Sequence, residues 1–526
     1  MGRNFFVIKP FLLLITSFLM GWCAWNIPQF SLILFVALVP LFFFFEKMQQ
    51  TRLSRWYIYL LSVFIFKFLW VAGQVYWLKE VTYDTFLASI VTHSLIFSIV
   101  QLPAIISFSK TKSQNSFVLF ILGWVLYEYL MQNFSLLSPF YILGSALGDY
   151  PIVIQNYSVI GIEGGTLWVL LVNYFLFRLV SGFKQKNQLK KRVVSLVLVV
   201  FAPFLLSVVM LFSHESSSIE KMKVAALHTD FNPVNNYYGT HPDVIIDSLW
   251  NLSKRVDEST EVLLWPETVV TNLGWMQELQ QNIYIDSLQK KIERFASLNL
   301  IFGANIHTIP VDNSDERLNY SKEYDFYFYV HNMAFSLNSG NAINYRGKEI
   351  FVPFQEEVPY VRTFPFLKKL ITVVGNPNFY SEYENDLDVH RTVKGVDYVP
   401  LLCYEICYPL FTSKVSKDIG FIALLGNEHW NTSKKGSRIY FNILRAMAVQ
   451  NQIPIVKSSN NGISVICGQS GEIIAKKSFD DTGLLKGEIC LKERNSFYSY
   501  ISGYSYLISL VLYAYFLIRK KKKTTP

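Results

Sequence analysis

The chain has 526 residues, 51% of them hydrophobic, 16% aromatic and only 17% charged, with a mean hydropathy of +0.27. This is too apolar for an ordinary soluble enzyme and long enough for more than one domain. Much of the net charge of +9 lies in short loops between apolar runs and in Arg519-Lys520-Lys521-Lys522-Lys523, where basic residues orient a membrane protein; nucleic-acid binding is disfavoured.

A helix that spans a bilayer needs about 20 mostly apolar residues. Candidate spans lie near 5–22, 26–45, 57–78, 85–108, 116–134, 152–180 and 193–213, with a last one near 499–518. The first follows Met1-Gly2-Arg3 but has no small-residue cleavage site, so it reads as an anchor. Basic residues cluster after spans two (Lys47, Arg52, Arg55), four (Lys110, Lys112) and six (Lys184, Lys186, Lys190, Lys191, Arg192). The loops after spans one, three and five carry little beyond Lys79. The positive-inside rule then puts both termini in the cytoplasm and the long segment before the last span outside. Lys67, Glu128, Glu163 and Asn173 fall within spans and read as a polar clamp between helices, ahead of a transport path.

Three parts are expected: a bundle of about seven spans over 1–213, an extracytoplasmic domain over 214–498, and a last span with a basic tail over 499–526. Within 214–498 the candidate strands are Lys223–His228, Glu261–Trp265, Leu298–Gly303, Tyr327–Ser336, Tyr398–Tyr404, Phe421–Leu425, Pro454–Lys457, Ile463–Cys467 and Leu485–Cys490. Helical patterns at 242–256, 276–296 and 436–452 alternate with them, which favours an α/β layered domain.

Three motifs stand at strand edges. Leu263-Leu264-Trp265-Pro266-Glu267 ends a strand at a proline and presents Glu267. In Lys348-Glu349-Ile350-Phe351-Val352-Pro353-Phe354-Gln355-Glu356-Glu357 a lysine precedes two glutamates. In Leu401-Leu402-Cys403-Tyr404-Glu405-Ile406-Cys407 a cysteine sits at a strand-to-helix junction, where a helix N-terminus favours the thiolate. Singly these read as a loop glutamate, a charged turn and a buried structural cysteine. The five cysteines (Cys23, Cys403, Cys407, Cys467 and Cys490) show no disulfide framework and no Cys-x-x-Cys pair. The scattered histidines give no zinc motif, and neither a metal nor a cofactor is expected.

Together, in the order Glu, Lys, Cys, the motifs resemble the nitrilase (carbon–nitrogen hydrolase) superfamily. With the membrane bundle before them and one span after, they resemble apolipoprotein N-acyltransferases. Val352-Pro353-Phe354-Gln355-Glu356 is similar to the family's Leu-Val-Pro-Phe-Gly-Glu, and Cys403-Tyr404-Glu405 matches its Cys-Tyr-Glu. Ser459-Asn460-Asn461-Gly462-Ile463-Ser464 follows a third family stretch, and Trp124, Glu128, Gly144, Gly161, Gly164 and Asn173 fall where the family has similar residues. The chain departs at Asn427-Glu428-His429-Trp430 (Asp and then Ala or Gly in the family), at Met447 and Gln450 (Arg and Glu), at Gln355 (Gly), and after span five, where an Arg is missing.

The resemblance implies an αββα nitrilase-like sandwich on a bundle of about eight spans, with this chain a divergent member. It implies that Cys403 forms a thioester, Glu267 acts as general base and Lys348 stabilises the oxyanion. Glu356 and Glu405 are expected to flank Lys348, with Glu357 the rival of Glu356 and Cys407 that of Cys403; Tyr404 and Trp430 are expected to shape the pocket. Implied partners are a phospholipid acyl donor and a diacylglyceryl apolipoprotein acceptor, at a bacterial cytoplasmic (inner) membrane, with the catalytic domain periplasmic and the chain a monomer. The apolar loops 269–276 (with Trp275) and 361–380 (with Phe364 and Phe366) are expected either to dip into the bilayer or to pack against protein. The alternatives are a membrane-tethered amidase or hydrolase, a degenerate lipid-binding or scaffold homologue, and, with less support, a transporter.

Overall fold

The computed structural model describes the chain apart from residues 1, 52–53, 82, 112, 184–185, 214–219, 232–240, 340–341, 354, 368–379, 384–388, 430–432 and 522–526. The chain divides into two compact units, one of Met1–Lys79, Tyr83–Glu215 and Tyr500–Pro526, the other of Glu80–Thr82 and Ser216–Ser499.

The first unit is helical. Helices fall in all eight predicted stretches. By length and composition, five stretches among the described residues are apolar enough to cross a bilayer: Ser31–Met48, Trp56–Glu80, Tyr83–Val100, Tyr157–Ser181 and Asn187–Phe212. Pro10–Asn26 and Tyr504–Ile518 are shorter apolar helices, and Asn115–Asn133 is diluted by Glu128, Gln132 and its terminal asparagines. The stretch expected as one helix over 85–108 breaks at Gln101, where Pro103 opens the second helix, Leu102–Lys110. In Tyr157–Ser181 the helix is kinked at Gly161, whose φ of 71° is open to glycine.

The buried polar residues of this unit tie helices together. Glu128 accepts from Trp124 Nε1 at 3.1 Å, the Leu143 amide at 2.8 Å and Thr166 Oγ1 at 2.7 Å. Asn173 accepts from the Leu38 amide at 2.8 Å and donates to Leu34 O at 2.7 Å. The Lys67 ammonium lies 4.5–4.7 Å from the ring centroids of Phe97, Trp124 and Tyr127. Each bond satisfies a polar group in an apolar interior, as a helix clamp requires.

The second unit is built on one curled sheet. Its strands are β1 (Lys221–Thr229), β2 (Val262–Leu264), β3 (Asn299–Thr308), β4 (Asn319–Ser321), β5 (Phe326–Asn338), β6 (Ile343–Gly347), β7 (His390–Arg391), β8 (Asp397–Leu402), β9 (Phe421–Asn427), β10 (Ile455–Asn460), β11 (Ile463–Cys467), β12 (Ile473–Ser478) and β13 (Gly483–Cys490). The main path runs β4-β5-β3-β2-β1-β10-β9-β8-β7. The strands β3, β2, β1, β10, β9 and β8 form the parallel centre, with antiparallel strands outside. β1 carries both arms: it pairs with β13 along its length, with β2 through Val224–Ala226 and with β10 only through His228 and Thr229.

The arms therefore curl around a shared core. Met222, Val224 and Ala226 of β1 meet Leu264, Ile301, Leu402, Phe421, Leu425 and Val456. The alternate β1 residues, Ala225 and Leu227, face the other way and pack against Ile245, Ile246, Leu249, Ile285, Leu288 and Ile292 of the helices Pro242–Ser253 and Ile283–Ile292. This is the period-two division of a strand buried on both faces, and it explains the near-continuous apolar runs of β8 and β9.

Candidate active site

The site is assembled at the carboxyl ends of the parallel strands, where an open α/β sheet leaves its crevice. Glu267 stands three residues after β2, in a sharp turn where Thr268 has a φ of +54°. The turn lies so close to β3 that a Cβ on Gly303 would fall 2.5 Å from Glu267 Cα. Lys348 follows β6 directly, and its amide donates to Asn332 O on β5 at 2.9 Å. Cys403 follows β8 directly and opens a 3-10 turn, Cys403–Cys407.

These strand ends bring the charged groups together. Lys348 Nζ donates to Glu267 Oε1 at 2.9 Å and to Glu356 Oε1 at 2.8 Å. Lys348 and Glu267 are both buried. Glu267 Oε1 also accepts from Asn332 Nδ2 at 2.9 Å, and Glu356 Oε2 accepts from the Val352 amide at 2.8 Å. Burial alone would depress the Lys348 ammonium, but Glu267, Glu356 and Cys403 outweigh it and hold Lys348 well above the usual lysine range. A permanent cation is thus fixed between two carboxylates.

The thiol does not behave as a helix N-terminus would make it. Burial first, then the Glu267 carboxylate, push the Cys403 thiol well up, and the pull of Lys348 in the other direction is smaller. The resting cysteine is therefore protonated, and a thiolate requires an acceptor for the proton. Cys403 also holds a φ of +45°, an unusual and costly conformation for a residue with a side chain. Cys407 is fully buried within the turn.

Glu405, the acidic residue of the cysteine motif, has a different partner from the expected one. Glu405 accepts from Arg346 Nη1 at 2.8 Å, Arg346 Nη2 at 3.2 Å, and the amides of Leu402 and Glu349 at 2.8 Å each. It locks the segment carrying Lys348 to the turn carrying Cys403, while Lys348 is flanked by Glu267 and Glu356. For Glu357, the rival of Glu356, burial and then its neighbours Glu382 and Glu356 push the carboxyl up to about 7, against a smaller opposite pull from Arg317. Tyr404 is buried and meets Tyr408 edge-on at 5.3 Å. Trp430 lies outside the described residues.

Three residues of the site were not singled out in the sequence: Asn332, Arg346 and Tyr440. They are placed by β5, β6 and the helix Lys434–Asn451, and their partners lie 65, 59 and 37 residues away. A strand pattern does not show contacts at such separations. Asn427 and Asn460, at the ends of β9 and β10, join side chain to side chain at 3.2 Å, and Asn460 Oδ1 takes Thr229 Oγ1 and the Phe231 amide. The Asn461-Gly462 turn behind them, with φ of 59° and 71°, joins β10 to β11.

Among the described residues no group of three or more His, Cys, Asp or Glu side chains is placed to hold a metal ion. The loop 269–276 packs inward: Val269, Val270 and Leu273 are buried in their own unit's core, and Trp275 meets His307, Phe326 and Phe328. Phe364 and Phe366 are exposed at 49% and 64%, and the following residues 368–379 lie outside the described set.

Residues 17–175 match the family model of the apolipoprotein N-acyltransferase N-terminal domain, and residues 325–497 that of carbon–nitrogen hydrolases. The chain belongs to the apolipoprotein N-acyltransferase family. An apolipoprotein N-acyltransferase of Chlorobaculum tepidum is 24% identical over 93% of this chain and 92% of its own length. One from Rickettsia prowazekii is 23% identical over 77% of each chain. Another, from Geobacter metallireducens, is 24% identical over 81% of this chain and 80% of its own. The hydrolase match takes in Lys348 and Cys403, whereas Glu267 lies between the two matched ranges and is tied to them by the geometry of Lys348. Membership makes the chain an acyltransferase, and the low identity suits the departures around Glu428 and Gln450.

Proposed function

We propose that this enzyme moves an acyl chain from a membrane phospholipid to the α-amine of an N-terminal diacylglyceryl-cysteine, through a thioester on Cys403. The observation that supports this most directly is the buried Lys348 ammonium held between Glu267 and Glu356 beside a protonated Cys403. Glu267 takes the thiol proton while Sγ bonds to the ester carbonyl carbon, and the Lys348 ammonium balances the oxyanion. The C–O bond then breaks, and the departing glyceryl oxygen takes the proton back from Glu267. In the second half the amine nitrogen bonds to the thioester carbon, Glu267 accepts an amine proton, and the C–S bond breaks. The returning proton restores the thiol.

The bundle, 1–213, would hold the reaction at a bacterial inner membrane, with about eight spans counting the last, and 214–498 on the periplasmic side as a monomer. The loop asymmetry in Lys and Arg supports that side. Phospholipid as donor is supported by the five stretches apolar enough to cross a bilayer, which keep the enzyme among lipid esters.

Full-length protein is incubated with phosphatidylethanolamine–phosphatidylglycerol mixed micelles and digested for mass spectrometry, with Cys403→Ala as control. The expected result is an acyl adduct on Cys403 that disappears on adding a diacylglyceryl-cysteine peptide, with the acyl group recovered as an amide. An adduct lost equally fast to water identifies a hydrolase, and the absence of any adduct sinks the thioester mechanism.

A further inference from the structure

Cys403 sits in a left-handed conformation that a side-chain-bearing residue adopts only when its surroundings hold it there. One group does so at the nucleophile itself. The phenol of Tyr440 donates to the Cys403 carbonyl oxygen at 2.7 Å. Tyr440 lies in the helix Lys434–Asn451, which ends at Gln452 in a left-handed cap, so the phenol reaches the cysteine turn from a rigid element.

Tyr440 is in turn fixed from behind. The Lys457 ammonium lies over its ring, 4.2 Å from the centroid. Lys457 is buried on β10 and forms an ion pair with Glu428, which also accepts from Ser459 Oγ at 3.1 Å. A buried cation over a ring is attracted to its face and holds the ring against rotation. Burial, followed by Cys403, Cys407, Glu428 and Glu267, keeps the phenol protonated and hence a donor.

We infer that Tyr440, braced by the Lys457–Glu428 pair, is a positioning residue that holds the Cys403 main chain in its strained form and so aims the thiol. The inference rests on Cys403 being the nucleophile. A peptide group is planar, so anchoring its carbonyl oxygen fixes the whole Cys403–Tyr404 plane and the direction in which Cys403 carries its side chain. Without the phenol, the residue relaxes toward ordinary backbone angles, and the thiol turns away while the binding surfaces stay in place. Orientation of a reacting atom is felt in kcat more than in KM. Glu428 stands in one of the chain's departures from its family, so the brace belongs to this chain's own version of the site.

The test uses the full-length enzyme in the phospholipid micelles above. Tyr440→Phe removes only the hydroxyl and leaves the ring under Lys457. Expected are a fall of about tenfold in the acylation rate at saturating lipid, KM within about twofold, and iodoacetamide alkylation of Cys403 slowed across the pH range. The midpoint of thermal unfolding should move little. Installing p-aminophenylalanine at position 440 restores a donor on the same ring and should recover most of the rate. An unchanged rate in Tyr440→Phe overturns the inference, as does a loss that p-aminophenylalanine fails to recover. If Tyr440→Phe is poorly folded, the p-aminophenylalanine enzyme decides alone, since it must then match the wild type. A wild-type enzyme that forms no adduct at Cys403 instead overturns the proposed function, so the two failures are distinct.

Discussion

Replacing Glu405 with Gln tests whether the Arg346–Glu405 pair is the lock between the lysine and cysteine segments. Both side chains are fully buried, and the carboxylate takes four donors, so the amide presents an N–H group where donors already point. Breaking a buried pair by removing one partner costs about 3–5 kcal/mol. Arg346 keeps Glu349, which is 47% exposed, and Pro400 O at 3.3 Å, so the lower end, about 3 kcal/mol, is expected. A unit of the size of Ser216–Ser499 loses about 0.6 kcal/mol per degree near its midpoint, which makes the shift about 5 °C. The assay is thermal unfolding of the full-length protein in detergent, for Glu405→Gln, Arg346→Met and Arg346→Met/Glu405→Leu. The double variant should lose no more than the worse single, because both buried charges go together. Additive losses, or a shift under about 1 °C for Glu405→Gln, would refute the reasoning.

Asn332→Ala removes the amide donor on Glu267 Oε1 and should lower kcat about tenfold with KM little changed, measured as transfer to a diacylglyceryl-cysteine peptide. Glu357→Gln reports on the raised carboxyl. Its native pKa of about 7 lies above its unfolded value of 4.5, so the folded state binds the extra proton between them, and wild-type stability falls as pH rises through that window. The Gln variant should therefore unfold at a higher temperature than wild type at pH 8 and at the same temperature at pH 4; equal midpoints at both pH values would contradict it. Phe364→Ser/Phe366→Ser should slow acylation from phospholipid micelles without moving the unfolding midpoint, because both rings are exposed. Trp275→Ser should do the reverse, since Trp275 is packed among His307, Phe326 and Phe328.

The strands that carry the site were legible because each is an apolar run with a break at its end. Leu263-Leu264 before Pro266 and Tyr398–Leu402 before Cys403 are such runs, and both are strands in the structure. β6 and β12 escaped notice for opposite reasons. β6 is short and carries Arg346, whose burial depends on Glu405, and β12 has mostly exposed or half-exposed residues with two adjacent lysines. The pairing of Glu405 was misread because sequence order puts it two residues from Cys403. In the turn it folds back onto the Leu402 amide and Arg346 instead of toward Lys348. The helices of the first unit were placed by hydropathy, but hydropathy did not show the break at Gln101 or the kink at Gly161, which depend on local backbone angles.

Lys348 has two carboxylates, and the proposed cycle gives each a separate task. At rest the ammonium is shared between Glu267 and Glu356, and the cysteine is neutral. When Glu267 takes the thiol proton it becomes neutral, and its hold on Lys348 weakens as negative charge appears on sulfur and then on the substrate oxygen. The total charge of the site is unchanged; one negative charge has only moved from Glu267 to the reacting atoms. Lys348 must follow that charge without being drawn out of place. Glu356 can supply this restraint because it does not exchange a proton with the thiol and is itself pinned by the Val352 amide at 2.8 Å. A lone Glu267 would leave Lys348 either too tightly paired to help the oxyanion or free to swing once the proton arrived. Glu356→Gln should accordingly spare thiol alkylation more than it spares acylation, since only acylation builds an oxyanion that a steady ammonium must meet. Equal losses in the two reactions would mean that Glu356 serves only to keep the lysine charged.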